Sequence, residues 1–156
     1  MARSRGFRGH RRVREAPAPR YEAEPDDGVA GVLYDSDVII EILRGRSSVV
    51  EAARRLEGSG VPTYCSAVSL AEIYAGIRPG EEAVTQAFFD ARGEIVLDGQ
   101  VGRMAGSYVA RYARSHGLEL GDALVAAAST AAGVWLWTRN RKLYPMADVR
   151  FYEEEG

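Results

Sequence analysis

From residue 31 onward the chain alternates short apolar runs with longer stretches in which apolar residues recur every three or four positions. The run at 32–34 stops at Asp35 and predicts a short buried strand, and 38–43 predicts a helix that ends near Gly45. Ser47 and Ser48 are placed to cap a helix over 49–57, closed by Gly58 and Gly60. A second strand is expected at 62–65. Ser66 can cap a helix reaching 77, with Leu70, Ile73, Tyr74 and Ile77 as its apolar stripe and Glu72 off that stripe. Pro79-Gly80-Glu81-Glu82 reads as the next helix start, with Val84, Ala87, Phe88 and Ala91 as the buried face and Gly93 as the stop. A third strand is predicted at 94–97 and a long helix at 100–116, halted by Gly117. Gly121-Asp122 opens an Ala-rich helix to about 132, followed by a fourth strand at 134–137 and a fifth at 149–152. Strands separated by helices imply right-handed crossovers, and so an α/β fold with a parallel sheet of four or five strands between helical layers.

The first thirty residues break this pattern. They hold few aliphatics, seven arginines, five acids and the segment Ala16-Pro17-Ala18-Pro19, too little apolar area to offset the entropy of ordering. They are expected to form a disordered tail over 1–30, either a basic arm for RNA or a partner or a loose extension, with one domain over 31–156. The remainder carries 13 basic and 17 acidic side chains, so overall charge gives no support for nucleic-acid binding. No run of about eighteen apolar residues is present to cross a membrane, and the basic N-terminus lacks the apolar stretch of a secretory signal. With Cys65 as its one cysteine, the chain has neither a disulfide framework nor a thiolate cluster for zinc, which fits a reducing cytoplasm.

In a parallel sheet ligands gather beyond the carboxyl ends of the strands, which directs attention to Asp35 and Asn140. Burying a strand that stops in a carboxylate costs free energy unless a cation or hydrogen bonds offset it, although Asp35 also suits a helix cap. Glu72 sits among the small residues Ala71, Ala75 and Gly76, which let a ligand approach; a solvated helix face is the alternative. Asp122 opens the Ala-rich helix, as a dipole-stabilised ligand or as a simple N-cap. Converging carboxylates repel one another without a cation, and oxygen donors without His or Cys select hard ions such as Mg²⁺ or Mn²⁺.

The segments Val32-Leu-Tyr-Asp-Ser-Asp-Val-Ile-Ile, Ser66-Ala-Val-Ser-Leu-Ala-Glu-Ile-Tyr-Ala-Gly, Gly121-Asp-Ala-Leu-Val-Ala-Ala-Ala and Trp137-Thr-Arg-Asn-Arg-Lys-Leu resemble, in order, the motifs of PIN-domain nucleases, especially VapC-type toxins. That resemblance covers about 31–152. It implies a PIN-like three-layer sandwich and a Mg²⁺- or Mn²⁺-dependent ribonuclease with Asp35, Glu72 and Asp122 as catalytic metal ligands. Asn140 falls where the family places a fourth acid or an asparagine, and Asp37 where asparagine is usual. The resemblance further implies hydrolysis to a 5′-phosphate and a 3′-hydroxyl, a cognate VapB-like antitoxin and a homodimer. Thr138 is expected to position an acid or a metal-bound water, and Arg139 and Arg141, with Lys142 and Arg44, to hold RNA phosphates; ordinary surface charge is the alternative for the arginines.

Two other readings stay open. Asp35-Ser36-Asp37 imitates the strand-end pair of haloacid-dehalogenase-like phosphotransferases, but Lys142 comes after the last motif and no downstream acid pair follows. A PIN-like binding module that has lost catalysis is the other.

Overall fold

The computed structural model describes residues 30–154, so the expected tail over 1–30 lies, apart from Ala30, outside the described residues. The elements run β1 (Val32–Tyr34), α1 (Ser36–Leu43), α2 (Ser47–Gly58), β2 (Thr63–Ser66), α3 (Ala67–Ala75), α4 (Glu82–Asp90), β3 (Gly93–Ile95), α5 (Gly99–His116), α6 (Leu120–Ala132) and β4 (Trp135–Trp137), then a 3-10 turn at Arg141–Leu143. All strand pairs are parallel, in the order β3-β2-β1-β4. The chain therefore leaves β1 in one direction and returns on its other side as β4, a reversal that opens a crevice at the carboxyl end of β1.

Three-residue strands hold here because both faces of the sheet are covered. On β1, Val32 and Tyr34 enter one core with Val38, Val49, Leu56, Ile73, Phe88 and Trp137, while Leu33 enters the other with Leu136, Ala105, Tyr108 and the apolar face of α6. This alternation is the period-two consequence of pleated backbone, and each fully buried large aliphatic contributes about 1.5–3 kcal/mol. Cys65 packs in the first core, where burial pushes its thiol up to about 12, so it is a small apolar filler as its place in the strand suggested.

Several local expectations shift. Arg46 is the N-cap of α2 without a side-chain cap bond, and Ser47 and Ser48 lie inside the helix. α3 ends at Ala75 with Gly76 as C-cap, short of 77. The buried face of α4 is Thr85, Phe88 and Phe89, with Val84 63% exposed: Phe88 is buried as expected, and the ring of Phe89 with Thr85 replaces Val84, Ala87 and Ala91 beside it. The fifth strand contracts to a single parallel bridge between Leu136 and Phe151, because three-residue β4 offers little more backbone to pair.

One polar knot lies in the first core. Tyr34 donates its hydroxyl to Glu57 Oε1 at 2.9 Å, and Arg92 reaches the same oxygen through Nε at 2.9 Å and Nη2 at 2.8 Å. The Arg92 guanidinium also lies 3.7 Å from the Phe88 ring centre. Removing the cation strands a partly buried carboxylate and a buried phenol. Arg92→Met is therefore expected to lower the unfolding free energy by about 3 kcal/mol in chemical denaturation; a loss below about 0.5 kcal/mol would show that the knot is only surface charge.

Candidate functional site

Asp35 follows β1 directly and is the N-cap of α1, its Oδ1 accepting from the Ser36 N–H at 2.8 Å. Both readings of this residue thus meet in one side chain, since its other oxygen, Oδ2, accepts from the Tyr144 hydroxyl at 2.7 Å inside the protein. Ser66 ends β2 and caps α3 through the Ser69 N–H. Ser69 in turn accepts from the Ser36 hydroxyl at 2.8 Å, which ties the start of α1 to α3. One turn further along α3 stands Glu72, whose charged form is favoured by the neighbouring Ser36.

Asp122 is not an N-cap. Helix α6 begins at Leu120 with Glu119 as N-cap residue, and Asp122, in the first turn, accepts a hydrogen bond from the Glu119 N–H. Spacing of three between cap and acid makes this the returning half of a capping box. Gly121 beside it leaves room for the carboxylate: a Cβ there would sit 3.2 Å from Glu72 Oε1 and 3.5 Å from Val68 Cγ1, so Glu72 would have to shift slightly.

The fold thus assembles Asp35, Glu72 and Asp122, carried by three different crossovers. Glu72 has its proton affinity raised by burial, then by the charges of Asp35 and Asp122, with Glu119 adding a smaller push. Asp122 is raised by burial and then by Asp35, against the neighbouring Glu119 N–H and Tyr144 hydroxyl, whose dipoles favour its charged form. Glu119, Tyr144 and Ser36 belong to this site and were not singled out in the sequence. As they stand, no three His, Cys, Asp or Glu side chains among the described residues are drawn close enough to hold a metal ion. The acids interact through charge rather than through a shared ligand position. Their donor set nonetheless fits a hard divalent cation, because the oxygens repel one another and no Cys or His is a member.

The other expected site residues form a second group at the end of β4. Thr138 donates to Asp37 Oδ2 at 3.4 Å and accepts from the Asn140 N–H at 3.2 Å, while the Arg139 N–H donates to the same Asp37 oxygen at 3.0 Å. Asn140 is exposed, and no hydrogen bond among the described residues joins its amide to the acids. Arg139 and Arg141 pair with Glu154 and Glu153. Beside Glu72 a groove of about 430 Å³ extends between α1, α3 and the start of α4, walled by Ile40, Leu43, Ile73, Ile77 and Val84 with Arg44 at its rim.

The profile of the PIN domain family matches residues 32–149. The chain belongs to the PIN domain family. Two relatives from Mycobacterium tuberculosis agree: ribonuclease VapC19 is 30% identical over 115 residues, spanning 73% of this chain and 92% of the relative, and ribonuclease VapC10 is 35% identical over 120 residues, spanning 74% and 86%. A toxin-antitoxin complex from Klebsiella pneumoniae contains a chain of similar fold, with a TM-score of 0.64 at 20% identity over 76% of this chain and 95% of that one. In this PIN domain the charge of Asp35 is felt by Glu72, Asp122 and Asp37, and no helix among the described residues is long and apolar enough to cross a membrane.

A carboxyl whose folded pKa is raised adds stability below its unfolded pKa and loses it as pH climbs through the folded value. For Asp122 that window opens at the ordinary value of 3.8 and extends upward, so at neutral pH and without metal the charged side chain opposes folding. Asp122→Asn, whose oxygen can still accept from Glu119, is expected to raise the melting temperature in chelator at pH 7.5 by roughly a few degrees and by less at pH 4. A drop at pH 7.5 would mean that the acids do not repel.

Proposed function

We propose that this PIN domain is the toxin of a toxin–antitoxin pair and hydrolyses RNA phosphodiesters with Mg²⁺ or Mn²⁺ held by Asp35, Glu72 and Asp122. The observation that supports this reading is that burial, and then the mutual charge repulsion among Asp35, Glu72 and Asp122, raises the proton affinity of Glu72 and Asp122. The ribonuclease names of the relatives supply the substrate class. A divalent ion held by these acids would supply an activated water and would offset charge on the phosphodiester.

The chain's own part is positioning. Ser36 N–H and the Tyr144 hydroxyl fix the two oxygens of Asp35, Ser36 orients Glu72, and the Glu119 N–H orients Asp122. Each carboxylate is thus restrained before substrate arrives, which lowers the reorganisation needed during reaction. No side chain is required as covalent nucleophile, and the products are a 5′-phosphate and a 3′-hydroxyl. Asn140, linked through its N–H to Thr138 and thereby to Asp37, offers a neutral oxygen where an acid would strengthen a second cation site.

The groove beside Glu72 suits a VapB-like antitoxin, an apolar segment lying against Ile40, Leu43 and Val84 while a basic side chain reaches the acids. Bound so, the antitoxin covers the cleft.

Incubation of the protein with total RNA in Mg²⁺ or Mn²⁺ should produce cuts with 5′-phosphate ends, abolished by chelator. Asp35→Asn and Asp122→Asn should each reduce the rate by about 100-fold or more. Equal activity in all samples would remove the metal mechanism, and RNA binding without cleavage in Mn²⁺ would leave a binding module.

A further inference from the structure

The described chain ends by folding back on the residues that follow β4. Tyr152 donates its N–H to the Leu136 carbonyl at 2.9 Å, which seats Glu153 and Glu154 opposite Arg141 and Arg139. Arg141 places Nη1 3.0 Å from Glu153 Oε1, donates Nη2 to the Tyr152 carbonyl at 3.1 Å, and lies 5.3 Å from the Phe151 ring centre. Arg139 Nη1 stands 3.5 Å from Glu154 Oε1, which also accepts from Trp137 Nε1 at 2.9 Å. An open surface cavity of about 270 Å³ is lined by Trp137, Thr138, Arg139, Arg141, Tyr152 and Glu154.

Two guanidinium groups turned toward one small cavity present paired N–H donors that match the oxygens of a phosphate. A carboxylate offers the same spacing of acceptors, so a glutamate is a close protein imitation of that edge. These ion pairs do little for the fold: the Arg139 and Glu154 side chains are 39% and 32% exposed, and those of Arg141 and Glu153 are 43% and 78% exposed. Such exposed pairs contribute between about 0 and 1 kcal/mol and exchange readily for another anion. The cavity borders the acidic crevice, since the Arg139 N–H holds Asp37 and the charge of Asp37 is felt with that of Asp35.

We propose that Arg139 and Arg141 form a subsite for a backbone phosphate of single-stranded RNA, and that Glu153 and Glu154 occupy it as internal phosphate mimics which RNA displaces. The inference rests on the reading of this chain as an RNA-cutting enzyme and adds to it a self-inhibiting contact. A strand anchored here places its neighbouring phosphate toward Asp35, so release of the two glutamates couples binding to correct placement of the scissile bond.

The test is a double-mutant cycle on the full chain, read as the affinity for a fluorescein-labelled single-stranded RNA in Ca²⁺, an ion that supports binding with little hydrolysis. Glu153→Gln with Glu154→Gln removes the competing charge, and a Gln at 154 keeps an oxygen for Trp137. This variant should bind roughly three- to tenfold tighter at low salt. Arg139→Gln with Arg141→Gln should bind more weakly and reduce the slope of log affinity against log salt by about 2. In that arginine-free background the glutamine changes should give no gain. An equal gain in both backgrounds, which is what general charge removal produces, overturns the proposal, as does no gain in either. If the fourfold variant folds poorly, the cycle of Glu153→Gln with Arg141→Gln gives the same decision on exposed side chains. Cleavage by the unaltered protein in Mn²⁺ is measured separately. Failure there sinks the hydrolytic reading and leaves the cycle decisive for binding, whereas an additive cycle in a protein that cuts RNA sinks only the mimicry.

Discussion

Carboxylates held at short range repel, and this repulsion is what the rest of the fold must contain. Asp35, Glu72 and Asp122 arrive on α1, α3 and α6, and each is tethered by a neighbour that cannot move freely: a backbone N–H, a serine shared between helices, a buried tyrosine. Two of the three stand at helix N-termini, where the unsatisfied N–H groups and the positive end of the dipole favour negative charge. Glu72 lies within α3 and lacks that support, so Ser36 is its main local stabiliser against burial and the charges around it. The two cores that clamp β1 from both faces keep the whole edge from splaying.

Part of the positive charge on the domain is engaged close to home. Arg92 neutralises Glu57 inside a core, Arg46 pairs with Glu41, and Arg139 and Arg141 are paired with the last described acids. With 17 acidic against 13 basic side chains after residue 30, the net charge of the body offers a polyanion little long-range attraction. Affinity for RNA then has to come from local basic groups or from bound cations.

The parts of the fold legible in sequence are those where one physical signal dominates. Apolar triplets marked β1 and β4, short runs at 62–65 and 94–97 located β2 and β3 to within two residues, and Gly117 marked the left-handed C-cap of α5. Asp35, Glu72 and Asp122 were readable as motif acids even though each alone is ambiguous. The face of α4 was read correctly at Phe88 and otherwise misjudged, because periodicity allows several stripes and only packing decides that Thr85 and Phe89 win over Val84. Glu119 escaped notice as an ordinary acid, although its spacing of three from Asp122 was a capping-box clue. Tyr144 carried no signal: it lies in irregular chain after β4, where periodicity ceases, and its hydroxyl meets Asp35 from 109 residues away. The arginines were visible as charges, but their partners beyond the last bridge were not.

Asp37 illustrates how hydrogen bonding decides between roles that charge alone leaves open. Its negative charge invites the thought that it replaces the acid missing at Asn140. Its oxygens, however, are committed: Oδ1 accepts from the Val38 N–H at 2.7 Å, and Oδ2 accepts from the Arg139 N–H and the Thr138 hydroxyl. A carboxylate that already receives three donors has fewer lone pairs left for a cation, and each donor displaced would have to be satisfied again. Burial and the charge of Asp35 raise its proton affinity, while those three bonds pull the other way and keep the anion useful as an acceptor. Asp37 therefore acts as a clasp between the start of α1 and the segment carrying Arg139 and Asn140. It fixes where the segment after β4 begins relative to the motif acids, a task that needs its hydrogen bonds rather than its charge.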